Sequence, residues 1–188
     1  ARNGMGSSSS FTVGLLNALH ALQGHMATKE QLANESIMVE QDLLKENVGS
    51  QDQVNAAYGG FNHITFHTSG EISVRPVIIP PDRQDELTSH LMLFYTGIKR
   101  TADKVAGEYV ASLEAKRRQL RILRDMVEEG LSILCGHGPI KEFGELLHEG
   151  WLAKQSISDK ISNSAIAEVY NAARDAGAIG GKITGAGG

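Results

Sequence analysis

Apolar residues crowd the stretch from Phe11 to Leu22. Phe11, Val13, Leu15, Leu16, Ala18, Leu19 and Leu22 leave few polar positions, and Gly24 is a suitable stop. This density predicts a buried helix over about 7 to 24. A second helix is predicted from Thr28 to about Lys45, with Leu32, Ala33, Ile37, Val39 and Leu43 as its apolar side. Thr28 is its cap, and Gln31 stands at the capping-box position. A short third helix starts at Ser50, where the serine would accept from the Gln53 N–H while the Gln53 side chain reaches back. Alternation then predicts strands near 60 to 67 and 71 to 79, joined through Ser69-Gly70.

Pro80-Pro81 breaks the pattern, because neither residue offers an N–H and the position before a proline disfavours helix. A domain boundary is placed there, giving domains 1–80 and 81–188. Beyond it, Leu91-Met92-Leu93-Phe94-Tyr95 reads as a buried strand entering Thr96-Gly97, followed by a long helix from about Thr101 to Leu134. Ala106, Leu113, Leu120, Val127 and Leu134 keep a strict seven-residue spacing. The companion positions Tyr109, Lys116, Leu123 and Gly130 alternate between packing and non-packing types, which favours a long helix on the domain's own core over a coiled coil. Helices over about 139 to 158 and 163 to 176 follow, and Ile179 to Thr184 closes the pattern as a strand. There are no internal repeats.

Composition narrows the class of molecule. With 188 residues, 41% hydrophobic and 21% charged, the chain can bury one sizeable core or two small ones. No apolar run approaches the roughly 20 residues of a membrane span, and the N-terminus lacks the layout of a signal peptide. The expectation is a cytoplasmic protein with no membrane partner. A net charge of -4 without a basic run argues against a nucleic-acid surface. Lys116-Arg117-Arg118, Arg121 and Arg124 are interleaved with Glu114, Asp125, Glu128 and Glu129, as on a solvated helix face. Cys135 is the single cysteine, which leaves no disulfide framework or thiolate zinc site, and its closeness to His137 is thin ground for a nucleophile–base pair. His63 and His67 have helical metal-pair spacing but sit in an alternating segment, where that spacing spans about 13 Å. Strand-surface histidines are the expectation.

Glycine-rich segments stand at both ends. Asn3-Gly4-Met5-Gly6-Ser7-Ser8-Ser9-Ser10 runs directly into the first helix, so its backbone N–H groups and the positive end of the helix dipole suit a phosphate anion. Lys182-Ile183-Thr184-Gly185-Ala186-Gly187-Gly188 is the other. Between them, Asp52 falls in the first turn of the third helix, where the dipole favours the carboxylate; it can orient a hydroxyl or take its proton, or simply complement the dipole. Glu40 lies on the preceding helix, with Glu46-Asn47-Val48-Gly49 as the turn, and the two carboxylates are expected to aim at one pocket. Such a pocket suits Mg²⁺, which takes one or two carboxylates plus hydroxyl, water and phosphate oxygens.

Taken together these segments resemble the GHMP kinases, the family of galactokinase, homoserine kinase, mevalonate kinase and phosphomevalonate kinase. Gly4-Met5-Gly6-Ser7-Ser8-Ser9 is similar to the family's Gly-Leu-Gly-Ser-Ser-Ala phosphate loop. Glu40 followed by Gly49-Ser50-Gln51-Asp52-Gln53 resembles its Glu-then-Gly-x-x-Asp-Gln block, and Lys182 to Gly188 its third motif. Phe94 to Arg100, Leu147-His148-Glu149-Gly150-Trp151 and Ile161-Ser162-Asn163 resemble the branch of sugar kinases acting on heptose phosphates.

The resemblance implies an α+β GHMP kinase fold: the remainder of an N-terminal domain like domain 2 of ribosomal protein S5, carrying nucleotide and Mg²⁺, and a helix-rich ferredoxin-like C-terminal domain. It implies ATP phosphates along Gly4, Met5, Gly6, Ser7, Ser8 and Ser9, with Gly185, Ala186 and Gly187 packed beside them, Mg²⁺ on Ser8 and Glu40, and Asp52 facing the acceptor hydroxyl as polariser or base. The implied acceptor is a sugar or sugar phosphate, foremost the anomeric hydroxyl of a heptose 7-phosphate, with galactose-, fucose- and mevalonate-type acceptors as alternatives. A relative that only binds nucleotide and sugar is the reading from another class. The family's first motif, its adenine-contacting segment and the end of its third motif have no counterpart here, so the expectation is a fragment whose N-terminal partner belongs to the same polypeptide.

Overall fold

A computed structural model of the chain describes residues 6–95, 116–157 and 161–184. Among them the chain forms two compact units, the first ending at Val77 and the second beginning at Ile78. The sequence expectations for Gly4, Met5, Thr96-Gly97, Ala106, Leu113, Gly185, Ala186, Gly187 and Gly188 lie outside the described residues.

The first unit holds α1 (Ser7–Leu22), α2 (Lys29–Ile37), a π-helical turn (Met38–Leu43) continuing α2, α3 (Gln51–Tyr58), and the antiparallel hairpin of β1 (Asn62–Phe66) and β2 (Ile72–Pro76). The hairpin pairs Asn62 with Pro76 through Phe66 with Ile72. The three helices pack on one another around Val13, Leu32, Ala33 and Val54. Thr28 caps α2, its Oγ1 accepting from the Gln31 N–H at 3.0 Å, but the Gln31 amide turns to Glu35 at 2.8 Å rather than back to the cap.

Two local expectations fail. The Ser50–Gln53 capping box does not form: Ser50 Oγ accepts from Gln41 Nε2 at 3.1 Å, and the Gln53 side chain points into the helix packing instead. Nor is α1 buried on most sides. Only Ser9 and Val13, one turn apart, are buried, whereas Phe11 and Leu22 are largely exposed and Leu15 and Leu19 half exposed. Apolar density foretold a helix but not how many neighbours cover it.

The second unit is helical among the described residues: α4 (Pro81–Ser89), α5 (Arg117–Cys135), α6 (Lys141–Gln155) and α7 (Ser164–Asp175). Pro81 takes the first position of α4, where its missing N–H costs nothing and its fixed φ already fits the helix. The proline pair therefore starts a helix that the sequence reading missed. Arg83 is buried and donates to the carbonyls of Ile133 (2.8 Å) and Leu134 (3.4 Å) at the end of α5, where a cation suits the helix dipole. Leu87, Leu134 and Ile140 form one core cluster; Trp151, Ile157, Ile161 and Ile166 form another, flanked by Leu120, Leu123, Tyr170 and Ile183. Arg117, Arg118, Arg121 and Arg124 are exposed on α5, a solvated face.

Leu91 to Tyr95 is not a buried strand: all five residues are more than half exposed and form no regular element. Residues 179 to 184 likewise form no strand. They pass so close to α6 that a Cβ on Gly180 would overlap the Gly144 carbonyl oxygen, leaving backbone lying against helix rather than against another strand.

Candidate functional site

Three chain segments of the first unit converge on Glu40. Gly6 caps α1 and is held at φ 66° and ψ 20°, a left-handed conformation that glycine adopts freely. Ser10 N–H donates to the Gly6 carbonyl at 2.9 Å, and the N-terminal end of the helix dipole points out of this first turn. No acid occupies this first turn. Ser7 and Ser8 are exposed at the tip, whereas Ser9 turns inward and is 2% exposed.

Glu40 sits in the π-helical turn and is itself 2% exposed. Its Oε2 accepts from Ser9 Oγ at 3.1 Å and from Gln53 Nε2 at 2.5 Å. Thr12 Oγ1 lies 3.4 Å from Oε1 and 3.0 Å from the Ser8 carbonyl; with a single proton, it donates better to the nearer oxygen. The π-helical widening, closed by Leu44 N–H to the Val39 carbonyl at 2.9 Å, ends in Lys45 at φ 56°. Such widenings recur at functional sites.

Asp52 is exposed in the first turn of α3, with its carboxyl carbon 3.6 Å from where a Cβ on Gly6 would stand. Adjacent residues of that turn thus face different ways: Asp52 toward the start of α1, Gln53 inward to Glu40. The structure brings together Gly6, Ser9, Glu40 and Asp52 of the sequence-predicted set. Ser7 and Ser8 share the α1 tip, but the serine bonded to Glu40 is Ser9, not Ser8. Sequence reasoning did not find the links from Thr12 and Gln53 to Glu40. The i, i+3 spacing of Ser9 and Thr12 was a usable signal; Gln53 was masked by its fit to a capping box.

Elsewhere, His63 lies in β1, and His67, just past it, places Nε2 2.9 Å from Ser73 Oγ. Cys135 ends α5 and is exposed. The second unit has an open cleft of about 490 Å³ lined in part by Glu145, His148, Glu149 and Arg174, with His148 Nδ1 2.5 Å from Tyr170 Oη. Burial pushes the Tyr170 phenol up. Burial, reinforced by the charge of Lys182, brings Lys154 down to about 8. No described helix is long and apolar enough to cross a membrane.

Residues 1–60 match the N-terminal domain model of the GHMP kinases, and residues 131–188 match the model of their C-terminal domain. The two segments, in family order, make up well over half of the chain. This chain belongs to the GHMP kinases. It is 26% identical over 187 residues to the D-glycero-alpha-D-manno-heptose 7-phosphate kinase of Campylobacter jejuni, covering 98% of this chain and 55% of that protein. It is 30% identical over 196 residues to the mevalonate kinase of Pyrococcus horikoshii, covering 98% and 53%. A crystal structure of a D-glycero-D-manno-heptose 1-phosphate kinase from Bacteriodes thetaiotaomicron superposes with a TM-score of 0.67 at 26% identity, covering all of this chain and 52% of that one. The chain thus spans about half the length of the relatives it matches.

GHMP kinases use ATP, and the Glu40 cluster has features that suit a divalent cation beside it. Among the described residues no three His, Cys, Asp or Glu side chains converge as a complete metal cage. Mg²⁺ needs no such cage, since it takes one or two carboxylates and completes its shell with water and phosphate oxygens. A carboxylate also has about four acceptor sites, so the donors on Glu40 leave room for a cation. The charges point the same way: a phosphate chain at the tip of α1 would lie near two acids, and a cation relieves that repulsion.

Proposed function

We propose that the protein is an ATP-dependent sugar kinase that transfers the γ-phosphoryl group to the anomeric hydroxyl of a heptose 7-phosphate or a related sugar. The observation that carries this reading is the joint placement of Asp52 at Gly6 and of buried Glu40 on the first turn of α1. Within residues 1–80, read as the nucleotide and metal domain, Gly4 to Ser9 would hold the ATP phosphates through backbone N–H groups and the helix dipole. Gly185, Ala186 and Gly187, in the C-terminal domain 81–188, are proposed as phosphate-binding residues on their resemblance to the family's third motif. Ser8 and Glu40 would hold Mg²⁺, which when bound neutralises charge on the β- and γ-phosphate oxygens.

Asp52 would accept a hydrogen bond from the acceptor hydroxyl, orient it toward the γ-phosphorus and take its proton as the new P–O bond forms. Phosphoryl transfer relies on positioning and charge neutralisation, so no covalent nucleophile is required of the serines. The heptose acceptor rests on relatives named for heptose phosphates. The mevalonate kinase at 30% identity keeps a mevalonate-type acceptor as the second reading. A soluble cytoplasmic enzyme fits either.

The test uses the full polypeptide containing this chain. Given a panel of heptose phosphates, free hexoses, fucose and mevalonate with Mg·ATP, turnover should be greatest on a heptose 7-phosphate, and Asp52→Asn should lower kcat by about 10²–10⁴-fold. Preferential turnover of mevalonate would replace the acceptor. Unchanged turnover in the variant would remove Asp52 from the chemistry.

A further inference from the structure

The hydrogen-bond arithmetic around Glu40 leaves one anomaly. Gln53 is 1% exposed, its Nε2 donates to Glu40 Oε2 at 2.5 Å, and its Oε1 is buried without a partner. The amide cannot relieve this by flipping, because that would press its carbonyl oxygen against the carboxylate. A buried, unsatisfied acceptor costs about 1–3 kcal/mol. Glutamine is thus a poor choice for filling the α2–α3 packing, where an aliphatic side chain of the same length would pack without that loss. Its amide N–H also reaches the same oxygen as Ser9 Oγ, so two donors from two helices fix one carboxylate oxygen.

We infer that Gln53 is a positioning residue for Glu40: its amide sets the direction of the carboxylate, and the cost of leaving its Oε1 without a partner is carried for that bond. This rests on the reading of Glu40 as the cation-binding carboxylate. Outer-shell groups that orient a ligating carboxylate typically carry 10–100-fold of metal affinity. Ser9 shares this task from α1, and the two donors couple the phosphate-loop helix to the helix bearing Asp52.

Calorimetry on the full polypeptide tests the inference, with a non-hydrolysable ATP analogue titrated in Mn²⁺ and again in EDTA; the ratio of the two affinities reads the cation's contribution. Gln53→Met, close in size and lacking both polar atoms, should lower that ratio about tenfold or more while leaving affinity in EDTA and thermal stability near wild type. The electron paramagnetic resonance spectrum of bound Mn²⁺ should change with it. Gln53→Asn, which keeps the amide but falls one methylene short, should lower the ratio too, and serves if the methionine variant does not fold. A wild-type ratio in a folded Gln53 variant overturns the inference. If Glu40→Gln lowers the ratio in that case, the reading of Glu40 stands alone. A wild-type ratio in Glu40→Gln overturns both.

Discussion

At the scale of single residues, the site depends on side chains that are ordinary in type and unusual in placement. Ser9 differs from Ser7 and Ser8 only by its angle around α1, yet it alone is buried against Glu40. Asp52 and Gln53 are neighbours that face apart, one to the Gly6 turn and one to the carboxylate. Gly6 is the residue whose backbone this arrangement most constrains. At φ 66° an alanine costs about 1–2 kcal/mol, and its Cβ would meet the Asp52 carboxyl only in ordinary contact, so backbone strain dominates. Gly6→Ala should therefore lower stability by about 1 kcal/mol in urea unfolding and also weaken nucleotide binding. Unchanged stability would mean that Gly6 does not hold this conformation in solution.

At the scale of elements, helices with local signals were legible and elements that depend on distant neighbours were not. Thr28 announced α2, Asn163 stands at the cap of α7 with its Oδ1 accepting from the Ile166 N–H at 3.0 Å, and alternation with Ser69-Gly70 announced the hairpin. Leu91 to Tyr95 and Ile179 to Thr184 carry strand-like residues, but a strand exists only if another pairs with it, and sequence does not name that partner. The same limit hid the Gln53–Glu40 bond, because a local capping box and a bond across thirteen residues use the same glutamine. The join between α1 and α2 offers a pH test. His20 Nε2 lies 2.7 Å from Glu35 Oε2; that hydrogen bond, then one from Gln31, holds the Glu35 carboxyl below its ordinary value of 4.5. A depressed carboxyl stabilises the fold above its unfolded pKa and loses that contribution as pH falls through the folded one. The stability advantage of wild type over Glu35→Gln should thus be present at about pH 5 and shrink as the pH falls below about 4.5. Parallel denaturant midpoints across that range would remove the pair from the stability of this join.

At the scale of the whole molecule, charge dictates how the proposed nucleotide binding should behave. The chain carries a net charge of -4, and the start of α1 lies among acids: Asp52 at Gly6 and Glu40 beneath Ser9. The N-terminal end of the helix dipole attracts a phosphate chain, but that term is modest beside repulsion from two nearby carboxylates. The nucleotide should therefore bind as its cation complex, and binding to the folded state alone stabilises it by mass action, by about 2.7 kcal/mol at a hundredfold excess over Kd. In thermal unfolding of the full polypeptide, ATP analogue with Mg²⁺ should raise Tm by several degrees, whereas the analogue with EDTA should raise it far less. Asp52→Asn removes one repelling charge without touching the dipole, so it should enlarge the EDTA shift and narrow the gap between the two conditions. Equal shifts with and without the cation would show that the carboxylates do not face the phosphates, and Glu40 and Asp52 would then serve only to join the three helices.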